Sequence, residues 1–242
     1  MKSSRRRVLV TGATGGIGRA IADAFAATDS TVVLADRHLS DLSRLKQQLS
    51  PNAEAYVYDQ ADAASIRKLI SAAGPVDVLV NNAAIILRKP LLRSSAEEVE
   101  QVIAVDLVGP IVLATGVARS MIKRRRGVII NISSQHAFKG APGRGIYSTA
   151  KAGLVQFTRS AGLEWAPYGV RVVGVAPGVT NTPMLKGSLS KNTSRSALLR
   201  TIPLRRIGTP ADVARVAVFL ASDAAGLIVG QTVVADGGSV LV

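Results

Sequence analysis

Three glycines stand between an apolar run, Val8-Leu9-Val10, and a helix-period segment from Ile17 to Ala27, within Thr11-Gly-Ala-Thr-Gly-Gly-Ile-Gly18. A strand that re-enters as a helix after so few residues must turn sharply, and glycine lets its backbone approach a ligand closely. The alternation then repeats to the end of the chain. Thr31 to Ala35, Ala55 to Tyr58, Val76 to Val80, Val128 to Ile132, Val170 to Val175 and Thr232 to Ala235 read as strands. Leu39 to Leu49, Ala63 to Ala72, Ala96 to Lys123, Tyr147 to Trp165 and Ala211 to Ala221 read as helices. Strands separated by helices imply parallel βαβ units with right-handed crossovers. The expected class is α/β, a doubly wound parallel sheet of about seven strands with helices on both faces.

The 242 residues contain no linker, so one domain spanning 1–242 is expected. The one irregular stretch, Met184 to Thr201, is polar and basic, and a substrate lid is expected at about 184–202. Cysteine is absent, which excludes a disulfide framework and a thiolate metal site; no metal is expected, and a cytoplasmic location fits. No apolar run reaches the ~20 residues of a membrane span, and Arg5-Arg6-Arg7 precedes only a short strand. The net charge is +14. Its densest run, Lys123-Arg124-Arg125-Arg126, precedes Gly127, where cations complement a helix C-terminus ended by glycine. Without aromatic–basic interleaving, charge alone does not argue for nucleic acid.

The glycine turn opens a helix whose unpaired N–H groups attract anions, as a pyrophosphate requires. Eighteen residues beyond Gly18, Asp36 ends the second strand. A carboxylate there accepts hydrogen bonds from adenosine ribose hydroxyls and repels a 2′-phosphate, which favours NAD over NADP. Arg37, next in the chain, could instead face that phosphate.

Tyr147 and Lys151 lie four residues apart, on one helical face, and Ser134 lies thirteen residues before the tyrosine. A free phenol is a poor base at neutral pH, but an adjacent cation favours the phenolate. A serine hydroxyl can bind a substrate oxygen where charge develops.

Together these features resemble the short-chain dehydrogenase/reductase family along essentially the whole chain. Thr11 to Gly18 matches its TGxxxGxG turn, Asn81-Asn82-Ala83-Ala84 its NNAG motif, and Ser134 with Tyr147 and Lys151 its serine and YxxxK. Pro177-Gly178 with Thr182 resembles its PG…T segment, and Gly230-Gln231 with Asp236-Gly237-Gly238 its C-terminal signature. The resemblance implies a single-domain Rossmann-type oxidoreductase that interconverts a secondary alcohol and a ketone. Tyr147 would be the acid/base, Lys151 would lower its pKa and bind the nicotinamide ribose, and Ser134 would polarise the substrate oxygen. The implied cofactor set is Gly12, Thr14, Gly16, Ile17, Gly18, Asp36, Arg37, Asp59, Asn82, Ala83, Tyr147, Lys151, Pro177, Gly178, Thr180 and Thr182. The resemblance also implies a homotetramer or homodimer, built on the helices at Ala96–Lys123 and Tyr147–Trp165 and on the C-terminal strand.

Three departures matter. Asp106 replaces the family's asparagine in Val105-Asp-Leu-Val-Gly109, where a catalytic water is anchored; Ala84 replaces the glycine of NNAG; Gln60 follows Asp59 in place of valine. Arg88 and Lys89 resemble the corresponding stretch of gluconate dehydrogenases and either pair with a sugar-acid carboxylate or solvate a loop; His136 either contacts substrate or is incidental. A 3-oxoacyl thioester on an acidic carrier protein competes as substrate, although such reductases generally use NADPH. A non-catalytic nucleotide-binding protein is the remaining reading.

Overall fold

The computed structural model describes residues 5–188 and 195–242. Seven strands form one parallel sheet: β1 (Arg7–Thr11), β2 (Thr31–Asp36), β3 (Glu54–Val57), β4 (Val78–Asn81), β5 (Gly127–Ile132), β6 (Val170–Pro177) and β7 (Thr232–Ala235). Their order is β3-β2-β1-β4-β5-β6-β7. The direction of winding reverses between β1 and β4, which opens a crevice at the carboxyl ends of those strands.

Both parities of each central strand are apolar because both faces are covered. Val8, Val10, Val78, Val80 and Ile130 join the core with α1 (Gly16–Ala26), α2 (Leu39–Leu49) and, late in the chain, α9 (Pro210–Ala221). Leu9, Val33, Leu79, Ile129 and Val172 face the opposite layer, which includes α3 (Ala63–Ala73), α5 (Gly109–Arg124) and α6 (Gly145–Trp165). Asp62 caps α3, while reciprocal boxes cap α4 (Ala96–Ile103) through Ser95 and Glu98, and α9 through Thr209 and Asp212.

Several expectations are revised. The helix at Ala96–Lys123 is interrupted by a π turn over Ala104–Val108. From Ala96 to Arg124 it has the length and apolarity of a membrane span, correcting the expectation that no segment does, yet half of its most apolar stretch is buried in the fold. Its end is left-handed at Arg125 (φ 52°), not at a glycine, and Gly127 opens β5 instead. A side chain at Gly127 would collide with Met121. Arg124 does not merely face the helix dipole; it pairs with Asp77 at 2.7 Å.

The irregular stretch contains α7 (Pro183–Ser188) and α8 (Arg195–Arg200). Pairing of Thr180 with Gly208 pins its two ends together, and residues 189–194 of the expected lid lie outside the described residues.

Leu79→Ala removes a fully buried side chain and should lower unfolding stability by about 2–5 kcal/mol. Leu92→Ala, at a fully exposed site, should change it by less than about 0.5 kcal/mol. Urea unfolding of both variants checks the layer assignment.

Candidate active site

The crevice encloses about 440 Å³ and runs from Asp36, Arg37 and Asp59 at one end to Ser134, Tyr147 and Lys151 at the other. Of the expected site residues, Asp106 alone is not on its wall, being buried behind Lys151.

The glycine turn is built by close approach. Gly12 has φ +61°, and a Cβ there would lie 2.7 Å from the Cα of Ala83. A Cβ on Gly18 would lie 2.0 Å from the Gly12 carbonyl oxygen and 2.6 Å from Asn82 Nδ2. Asn82 closes the turn by donating to the carbonyls of Thr11 (2.9 Å) and Gly12 (3.1 Å). Thr11 Oγ1 in turn accepts from the backbone N–H groups of Asn82 and Ala83. No side chain caps α1 at Gly15, and its first residues, Gly16, Ile17 and Gly18, line the crevice. Amides at a helix N-terminus beside a glycine cradle suit a pyrophosphate.

Asp36 accepts from the backbone N–H of Thr14 at 2.9 Å and from its hydroxyl at 2.6 Å, so the carboxylate is oriented by the turn itself. Arg37 donates its backbone N–H to the other Asp36 oxygen. Asp59 accepts from the Ala61 N–H at 2.9 Å. Pro177 and Gly178 leave β6 beside β7, where Gly178 donates to the Ala235 carbonyl. Thr180 and Thr182 follow, and the Thr182 side chain lies close against Gly16.

At the other end, one face of α6 carries Tyr147 and Lys151 inward. The ammonium stands 5.8 Å from the tyrosine ring centroid. Lys151 is 2% exposed, and its Nζ donates to the Ile132 carbonyl at 3.3 Å and lies 3.4 Å from Asp106 Oδ2. The π turn holds Asp106, whose other oxygen accepts from the Ile85 N–H at 2.9 Å. Burial pushes the Asp106 carboxyl above the usual carboxylate range, and the Lys151 charge opposes that rise. The ammonium therefore meets a carboxylate directly where the resemblance implies an amide and a water. Ser134 Oγ accepts from the His136 N–H at 3.2 Å. His136 packs edge-on to Tyr147; burial, then Arg144, Lys139 and Arg88, lower its pKa to about 4, so it is neutral at pH 7.

Some participants were not evident from the sequence. Gln60 donates to the carbonyls of Ala83 (2.9 Å) and Val105 (2.5 Å), taking up a carbonyl of the π turn, while Tyr58 donates to its Oε1 at 2.6 Å. Gly109 leaves room for it, since a Cβ there would lie 2.3 Å from the Gln60 carbonyl oxygen. The substitution after Asp59 thus carries a structural joint. Asn81, Asn131 and Thr158 form a buried ladder from β4 through β5 to α6. The asparagine at the end of β4 was its one visible signal. Lys89 is held by Glu98 at 2.7 Å, so of the two basic loop residues it is structural.

A family model described as enoyl-(acyl carrier protein) reductase matches residues 12–239. The chain is 37% identical over its full length to the 3-oxoacyl-[acyl-carrier-protein] reductase FabG of Thermotoga maritima, covering all of that protein too. It is 36% identical to the L-xylulose reductase of Bos taurus, covering 98% of each chain. A solved 3-ketoacyl-(acyl-carrier-protein) reductase from Brucella melitensis, complexed with NADH, superimposes with TM-score 0.92 at 29% identity, covering 98% of this chain and all of that one. The chain belongs to the short-chain dehydrogenase/reductase family. It is an oxidoreductase of that family, whose members bind a nicotinamide cofactor.

Asp106→Asn keeps the Ile85 contact and removes the charge facing Lys151. Activity should remain within about an order of magnitude. Steady-state kinetics across pH test this; complete loss of turnover would assign Asp106 an essential role of its own.

Proposed function

We propose that this protein is an NAD(H)-dependent oxidoreductase interconverting a secondary alcohol and a ketone, with Tyr147 as general acid/base. The observation that carries the reading is the convergence, in one crevice, of the glycine turn with Tyr147, Lys151 and Ser134. The crevice fits a dinucleotide because the close-packed glycine turn, which no Cβ at Gly12 or Gly18 would allow, brings the uncapped amides of α1 to its wall. Bound there, the nicotinamide supplies or accepts the hydride.

Tyr147 donates its phenolic proton to the carbonyl oxygen in reduction and takes it from the alcohol in oxidation. Lys151, held by Asp106 and the Ile132 carbonyl, places a cation 5.8 Å from the centre of that phenol ring. Ser134 donates to the same substrate oxygen, where negative charge develops. The preference for NAD rests on Asp36, gripped by Thr14, and on the absence of a basic side chain at Gly15. The second reading, reduction of a 3-oxoacyl thioester, is favoured by the relatives named for that reaction.

The purified protein should form NADH from a panel of secondary alcohols, sugar acids and hydroxyacyl thioesters, with NADP run in parallel. Tyr147→Phe should lower kcat by about 10²–10⁴-fold while NADH binding, read by fluorescence, persists. Equal loss in every variant of the crevice, or turnover intact without the phenol, would sink the assignment.

A homotetramer or homodimer is part of the same proposal. The outer faces of α5 and α6 expose Leu163, and Val112 at 36%, while Leu241 and Val242 are exposed at the C-terminus. Sedimentation should return a multiple of the 25.2 kDa chain mass; a monomer would remove the proposal.

A further inference from the structure

The substrate end of the crevice is more cationic than the reaction requires. Arg144 precedes α6 by one residue and Tyr147 by three, lines the crevice and is half-buried. Neighbouring cations are accounted for: Lys89 pairs with Glu98, and Lys139 donates to the carbonyl and hydroxyl of Ser239. Among the described residues no carboxylate or hydrogen-bond acceptor meets the guanidinium of Arg144, and none pairs with Arg88.

These two arginines are held together against their repulsion. Lys89 donates its backbone N–H to the Gly143 carbonyl at 2.9 Å, stapling the loop that carries Arg88 to the loop that carries Arg144. Burial and then the Arg88 charge both oppose ionisation of Arg144, and only Tyr147 favours it. Two further groups on the same wall are buried without partners, Gln135 Oε1 and His136 Nδ1. The carboxylates lining the crevice, Asp36 and Asp59, both stand at the far end and are engaged by N–H groups. A half-buried guanidinium with no carboxylate beside it is open to an entering anion, and its fork matches a carboxylate in a bidentate pair.

Resting on the oxidoreductase reading above, we propose that the substrate carries an anionic group, a carboxylate in the first instance, remote from its reacting carbon. Arg144 receives that group, with Arg88 reinforcing the field at the mouth. The substrate class is therefore an oxo acid or the corresponding hydroxy acid. An acyl thioester, neutral around its carbonyl, leaves both arginines unpaired.

The test compares levulinate with its methyl ester, dihydroxyacetone phosphate, and the acetoacetyl thioester of N-acetylcysteamine, each as substrate with NADH. Calorimetric titration of levulinate into the protein gives a second readout that needs no turnover. Levulinate should exceed its ester in kcat/KM by about ten- to hundredfold, the difference lying in KM. Arg144→Gln should erase most of that ratio and weaken levulinate binding similarly, and Arg144→Lys should restore part of it. Arg119→Gln, an exposed charge on α5, controls for net charge and should leave the ratio intact. Preference for the phosphate, lost in Arg144→Gln, supports the anion site with phosphate as its group. An ester or thioester used as well as the acid, or a ratio indifferent to Arg144, overturns the proposal and leaves the oxidoreductase reading standing. If nothing is turned over, Arg144-dependent levulinate binding supports the anion site, and its absence overturns the proposal.

Discussion

A lysine ammonium 2% exposed to solvent is the group around which the substrate half of this molecule is arranged. Such a charge is tolerable only where fixed acceptors replace water. Here they come from two elements: the Ile132 carbonyl at the end of β5 and the Asp106 carboxylate in the π turn. Each is anchored in turn. Asp106 also binds Ile85 on the loop after β4, and Ser133 beside the Ile132 carbonyl donates to the backbone of Lys151. The loop after β4, the π turn, β5 and α6 are thereby fixed to one another through the polar groups that surround one cation.

The nucleotide half is positioned by different means. Backbone approaches backbone at Gly12 and Gly18, at distances no side chain would allow, and Asn82 and Thr11 supply the hydrogen bonds that keep it there. Such a site is specified by what is missing from the residues and is tolerant of little else. The substrate half is specified by side chains on loops, where identity can change without altering the sheet. A common hydride chemistry and a particular substrate charge can thus be encoded separately along one chain.

Much of this was legible in the residues. The alternation of strand and helix, the glycine turn and the Tyr147–Lys151 spacing are local patterns whose physical reasons act within a few residues. The features that escaped depend on contacts across the fold. The π turn has no propensity signature, and the contact of its Asp106 with Lys151 is made across the fold. Gln60 reads as a neutral substitution until Val105 offers it a carbonyl. Lys89 and Arg88 are adjacent and alike in sequence; Glu98, which separates them into a structural and an unpaired charge, approaches only through the capping box of α4. The isolation of Arg144 likewise follows from which loops come together.

The distribution of charge explains why a bulk value of +14 was a poor guide to function. Arg7 is bound by Glu54 and Arg124 and Arg126 by Asp77, which tie secondary elements, while Arg206 and Arg215 pair with Asp212 at the start of α9. Those at the surface are screened within about 10 Å and shape association more than recognition. Arg144 differs because it is half-buried and, among the described residues, no carboxylate answers it. On the anion-site proposal, that one half-buried guanidinium at the substrate end of the crevice selects the substrate more than the paired basic residues do, since an entering ligand either neutralises it or leaves it unmatched.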